Sequence, residues 1–300
     1  MRERDNSVLR ESVHMTEGYR IIDGHVHTFS SGEVSKKIRE SFNRIYSIEF
    51  ENPGTGTIED VLANMERTGI ERTVMANFAP PKIIHDNNLW TIEVSGDGSK
   101  LIPLVSFHPE MEGDMRGLLE RYMGLGAKGI KLHPMAQGFS PLDKKLEEMY
   151  RGCNEASIPV VFHCGRVANA RLNEYSDLEI IKPLLYKYPS IPFVLTHMAD
   201  GNVGDVVDTA KSFDNVSFDT SIVITGYPPI MQTNDASWLD DAEVADIINT
   251  IGAERVVFGS DYPWGSPSHD IARLEAIKLD EMQKKRIFFE NAVKIFKLEI

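Results

Sequence analysis

Apolar, β-branched runs recur along the chain, and almost every one closes on a polar residue before positions of helical period take over. The runs occupy 20–27, 72–77, 101–108, 129–133, 158–163, 191–197, 215–220 and 255–261. Near-continuous apolar strands separated by helices point to a parallel sheet buried on both faces, because crossover helices cover each side. Amphipathic stretches predict helices over 57–68, 112–124, 141–156, 177–188, 203–213, 238–251 and 270–296, the last with one break. Thr57 with Asp60 close behind it reads as an N-terminal cap, Gly124 as a stop and Pro141 as a first-turn proline. Eight alternations with short links predict an α/β fold, a (β/α)8 TIM barrel. An open doubly wound sheet is the rival, and the lack of a GxGxxG or phosphate-binding loop after the first run argues against it. The longest irregular stretch, 28–56, reads as an insert or lid after strand one, with a helix near 34–45. No repeat or linker divides the chain, so residues 20–300 are read as a single barrel domain and 1–19 as an N-terminal tail, in which Met15 could serve as an alternative start.

In such a barrel the C-terminal strand ends and the loops that follow them build the active site. His25 and His27 end the first run, Lys131 lies at the end of the fourth, His163 ends the fifth, His197 the sixth and Asp261 the eighth. Residues i and i+2 of a strand share a face, so the imidazoles of His25-Val26-His27 both face the barrel interior. A third imidazole and a carboxylate converging there make a nitrogen and oxygen donor set suited to Zn²⁺ or another divalent first-row ion, with room for a bound water. That is a catalytic type of site, since a structural zinc is usually closed by cysteines.

Composition narrows the function classes. Hydrophobic residues at 42% and charged residues at 26% supply a sizeable core and exclude disorder over most of the chain. A formal charge of −13 repels phosphate backbones and anionic headgroups, so nucleic-acid and membrane partners are not expected. Cys153 and Cys164 form no CxxC pair, which excludes a disulfide scaffold and suits a reducing cytoplasm. The first 20 residues lack the apolar core of a signal peptide, and no apolar run approaches the roughly 18 residues of a membrane span. A soluble cytoplasmic protein acting on a small molecule is the expectation.

Five motifs in order, each at a strand end, now carry a family resemblance: Asp23-Gly24-His25-Val26-His27, Gly129-Ile130-Lys131-Leu132-His133-Pro134, Phe162-His163-Cys164-Gly165, Leu195-Thr196-His197 and Gly259-Ser260-Asp261-Tyr262-Pro263. Over about residues 20–297 the chain resembles the amidohydrolase superfamily, in its amidohydrolase-related branch of metal-dependent barrel hydrolases and decarboxylases. The resemblance implies that His25, His27 and His163 bind the metal and that Asp261 is both ligand and proton carrier. It implies that His197 either holds a second metal or hydrogen-bonds the substrate and the nucleophilic water. Lys131 stands where two-metal members carry a carbamylated lysine bridge, so it is a ligand only if carbamylated. One Zn²⁺ per chain is expected, with Mn²⁺ as the other candidate and a second ion left open. Barrels of this branch often associate, which leaves a homo-oligomer open as well.

Hydrolysis of a C–O or C–N bond in a lactone, ester or amide of a small molecule that can carry a carboxylate is the first expectation. Non-oxidative decarboxylation of the aminocarboxymuconate-semialdehyde or resorcylate type is the alternative, and a barrel that only binds its ligand is the third. Position after the strands nominates Arg166 as a carboxylate clamp, and Tyr227, Trp264 and Phe29 as pocket walls, with Gln137, Arg171 and Asp200 weaker candidates. His108 and His133 read as anchoring residues, His14, His85 and His269 as solvated ones in tails or loops, and Cys164 as packing.

Overall fold

The computed structural model describes residues 18–46, 54–165, 173–201, 203–222 and 239–300. Eight strands follow one another around a single parallel sheet in chain order: β1 Ile22–Val26, β2 Arg72–Met75, β3 Leu101–Ser106, β4 Gly129–Leu132, β5 Val160–Phe162, β6 Phe193–Leu195, β7 Val216–Asp219 and β8 Val256–Val257. The nearly closed sheet is completed between β8 and β1 by single backbone hydrogen bonds. Gly24 N donates to Phe258 O at 2.8 Å, Asp261 N to His25 O at 2.8 Å and His27 N to Tyr262 O at 2.7 Å. With helices between successive strands this is the (β/α)8 TIM barrel that the strand and helix rhythm predicts.

The helices are α1 Gly32–Tyr46, α2 Ile58–Thr68, α3 Ile84–Val94, α4 Met115–Gly124, the one-turn α5 Pro134–Gln137, α6 Glu147–Ala156, α7 Leu178–Lys187, α8 Val203–Ser212, α9 Asp241–Ile251, α10 Pro267–Ala276, α11 Glu281–Lys285 and α12 Asn291–Ile295. Local chemistry sets their ends. The Thr57 side chain accepts from Asp60 N at the start of α2, and Gly69 stops that helix at φ 75°. Asp240 and Glu243 form a reciprocal capping box at the start of α9. α3 is an element that the periodicity does not predict, because its apolar residues do not gather on one face. His85 therefore lies on a helix, not in a loop, with Nδ1 2.6 Å from the Tyr122 hydroxyl.

Strand alternation sorts the core into two clusters. Residues such as Ile130, Leu132, Val160, Phe162, Phe193 and Leu195 pack outward against the helices. Val74, Ile102, Leu104, Val161, Val194 and Val257 point inward, where Phe289, Ala292, Ile295 and Phe296 from the C-terminal helical segment join them. The same alternation sends Lys131, His163 and Asp219 inward at the strand ends. No helix among the described residues is long and apolar enough to cross a membrane.

Candidate metal centre

The geometry begins with an irregularity in β1. Asp23 pairs with Thr73 and Val26 with Met75, so β1 carries one residue more than β2 over the same span. Ile22 belongs to the inward cluster and Val26 to the outward one, and the extra residue turns His25 and His27 inward. Asp23 anchors the bulge. Its carboxylate accepts from Ser260 N at 3.0 Å and Ser260 Oγ at 2.5 Å, tying β1 to the segment that carries Asp261. Complete burial pushes its pKa up to about 7.

His25 is wholly buried between two carboxylates. Its Nδ1 lies 2.8 Å from Asp219 Oδ2, which fixes the proton on Nδ1 and leaves the Nε2 lone pair facing the barrel axis. Nε2 is 3.4 Å from Asp261 Oδ1 and 3.1 Å from Lys131 Nζ. His27 Nε2 approaches the same Asp261 oxygen at 3.1 Å. Two imidazole nitrogens crowded on one carboxylate oxygen need a proton or a cation among them. Separations of 3.1 and 3.4 Å are also those of ligands about 2.1 Å from a shared tetrahedral ion. The donor set therefore fits a divalent metal.

Burial pushes the imidazoles of His25, His27, His133 and His163 down, His25 to about 4, so they stand neutral with lone pairs available at pH 7. Desolvation brings Lys131 down to about 8, against the pull of Asp219 and Asp261. For Asp219 and Asp261 burial alone would raise the pKa, but the neighbouring histidines outweigh it and hold both carboxyls below their usual range.

A second triad, His25, His197 and Asp219, shares His25 with the first. Asp219 Oδ1 accepts from His197 N at 2.8 Å and from Ser221 Oγ at 2.5 Å, and Ser221 Oγ lies 2.9 Å from His197 Nδ1. His163 belongs to neither triad. Its Nδ1 lies 3.2 Å from His197 Nε2, its ring stacks on His133 at 3.7 Å, and its buried Nε2 has no partner among the described residues. His197 and Asp261 both adopt left-handed φ, 57° and 58°, so the chain leaves strand geometry where these side chains turn into the site.

The structure thus brings His25, His27, Lys131, His197 and Asp261 together, with His163 beside them through His197. Trp264 sets its ring edge-on to His27 at 5.1 Å, 74° between planes. Arg166, Arg171 and Tyr227 lie outside the described residues, as does the side chain of Asp200. Gln137 braces the fold, donating to Ala79 O and accepting from His133 N. Cys164 packs in the core, and burial pushes its thiol well up. Sequence reasoning missed Asp219 and Ser221, although Asp219 lies next to the end of the seventh apolar run, much as the expected site residues end theirs.

The amidohydrolase family model matches residues 22–298, and the chain belongs to that family. No curated protein matches the chain. An uncharacterised TIM-barrel protein from Bordetella bronchiseptica is 20% identical with a TM-score of 0.71, over 93% of this chain and 98% of its own. A 5-carboxyvanillate decarboxylase from Novosphingobium aromaticivorans, solved with bound manganese, is 16% identical with a TM-score of 0.69, over 94% and 98%. A putative 2-pyrone-4,6-dicarboxylic acid hydrolase from Pseudomonas putida is 17% identical with a TM-score of 0.63, over 94% and 98%. At these identities the likeness is one of fold, and the neighbours include both hydrolytic and decarboxylating enzymes.

Proposed function

We propose that this chain is a metal-dependent hydrolase cleaving a C–O or C–N bond of a small molecule, as in a lactone, ester or amide. The observation that carries the reading is the convergence of His25 Nε2 and His27 Nε2 on Asp261 Oδ1. These three would hold the metal; His163, which the family resemblance implies as a further ligand, stands beside the cluster against His197, and its unpartnered Nε2 would have to approach the three donors to join them. One Zn²⁺ per chain suits the donor set, and Mn²⁺ is the other candidate, as the manganese-bound neighbour suggests. A divalent ion held by these residues would supply Lewis-acid chemistry, lowering the pKa of water from about 16 towards 7 and polarising the bond under attack.

The chain's own groups supply the proton traffic. Asp261 Oδ1 is shared between two imidazoles, leaving Oδ2 to accept the water's proton and return it to the leaving group. His197 is held through its backbone N–H by Asp219 and through Nδ1 by Ser221, and its Nε2 lies 3.2 Å from His163 Nδ1; to steady charge on the substrate oxygen, that Nε2 would have to turn from His163 and carry a proton. Lys131 touches His25 and becomes a ligand only if carbamylated, which would admit a second ion.

Decarboxylation is the second reading. The aromatic rings of Phe78 and Trp264 set edge-on to His27 favour it, because a wall that excludes water suits loss of a carboxylate. Asp261→Asn separates the roles: turnover on a lactone and ester panel should fall by at least a hundredfold while most metal is retained. Turnover near wild type would remove the proton-carrier role from Asp261. Carbon dioxide released from aromatic acids, with no ester or lactone cleaved, would favour the second reading.

A further inference from the structure

On the His27 side of the centre opens a cavity of about 580 Å³, far more than a hydrolysable head group occupies. Its floor is His27, His133 and Trp264, so it is continuous with the donor cluster. One wall is α1, which presents Val34, Ile38 and Phe42, spaced i, i+4 and i+8, as a single apolar stripe. Helices of this kind ordinarily press such a stripe against protein. Here Val34 and Ile38 each stay 39% exposed at the lip, and Ile83 across from them on the lead-in to α3 is 53% exposed.

The lining is as informative in its charges. Among the described lining residues there is no lysine or arginine, and the one acidic residue is the exposed Asp86. The polar side chain of Asn77 is already committed, donating from Nδ2 to Thr28 Oγ1 at 2.7 Å and to Thr91 Oγ1 at 3.0 Å, whereas Asn87 Nδ2 and Trp264 Nε1, also in the lining, are buried without a partner among the described residues, so the cleft offers two neutral N–H donors but no cation. An anionic substituent placed in this cleft would lose hydration and gain no counter-charge, whereas an uncharged apolar one would cover three exposed aliphatic side chains.

We infer that the substrate is amphiphilic, with its reacting group at His27 and Asp261 and a bulky, uncharged hydrophobic body, aryl or long-chain acyl, in the cleft between α1 and the start of α3. The inference rests on the hydrolase reading for the reacting end. It also restricts the expectation of a carboxylated substrate: any carboxylate lies at the metal end, not in the cleft.

The test separates the two claims. The uncharged fluorophore N-phenyl-1-naphthylamine is titrated into the full chain, metal-loaded and metal-depleted, beside 1-naphthalenesulfonate as an anion of similar size. Saturable binding is expected in both metal states, with the anion at least tenfold weaker. Ile38→Glu and, on the opposite lip, Ile83→Glu should each weaken the fluorophore at least tenfold in protein whose circular dichroism is unchanged, while Ile38→Leu binds as wild type. KM for uncharged p-nitrophenyl esters should fall from acetate to octanoate in wild type and stay flat in Ile38→Glu. Absence of saturable binding, equal binding of the anion, or indifference to both glutamates would overturn the inference. A dimer that Ile38→Glu splits, with no fluorophore site in wild type, would overturn it too, since a second copy would then cover the cleft. Fluorophore binding without cleavage of any ester would leave the cleft standing and count against hydrolysis.

Discussion

Asp219 divides its two oxygens between two histidines, one holding the His25 ring by Nδ1 and the other the backbone N–H of His197. Removing the charge while keeping the shape tests that division. In Asp219→Asn an amide that can donate as well as accept replaces an obligate acceptor, the Nδ1–H tautomer of His25 loses its support, and Nε2 becomes a poorer ligand. Metal affinity, measured by competition with a chromogenic chelator, should fall about 10- to 100-fold. Affinity within twofold of wild type would mean that Asp219 only packs. The legible residues of the centre were those with a neighbour in sequence or a motif around them, as in His25-Val26-His27. Asp219 was not singled out although it lies at a strand end as the others do: a carboxylate that orients an imidazole from behind looks in sequence like any polar residue closing a strand. His133 was read as an anchor, and its Nδ1 accepts from Ala136 N at 3.2 Å, yet its ring also stacks on His163, a contact that only the barrel brings about.

At the scale of the element, the decisive feature is the extra residue in β1. Plain alternation places residues 25 and 27 on one face, but it does not say which face relative to Ile22, three positions earlier. The bulge settles that, and Gly24 makes room for it. A Cβ on Gly24 would stand 2.7 Å from Val257 Cγ1 and 2.9 Å from Phe258 O. Gly24→Ala should therefore lower stability by about 1–3 kcal/mol, read in a denaturant melt, because the backbone oxygen cannot retreat cheaply. A midpoint equal to wild type would show that β1 and β8 can part without cost. α3 was not legible, because its fixing contact is polar: Asn88 Nδ2 donates to Ser106 O at 2.8 Å while Ser106 N donates back to Asn88 Oδ1 at 2.8 Å. Two of the three buried residues of α3, Asn88 and Thr91, are polar, and its apolar residues Leu89, Ile92 and Val94 are only partly buried, so no single apolar stripe marks the helix.

For the whole molecule, the rhythm of buried strands and amphipathic helices was sufficient to place eight strands in order, since parallel barrels impose that rhythm on any chain that adopts them. What rhythm could not supply was the shape of the space above the barrel. The apolar stripe of α1 was visible as a helix near 34–45, but its role as a cavity wall depends on the start of α3 opposite, which the pattern did not predict.

The central claim is that the strand ends assemble a metal centre, and metal content per chain tests it most directly. Protein purified without chelator is analysed for bound elements beside a His25→Ala/His27→Ala control that loses two of the three convergent donors. About one zinc or manganese per chain in wild type, absent from the control, is the predicted result. No stoichiometric metal in wild type, even after reconstitution with either ion, or equal metal in the control, would contradict it.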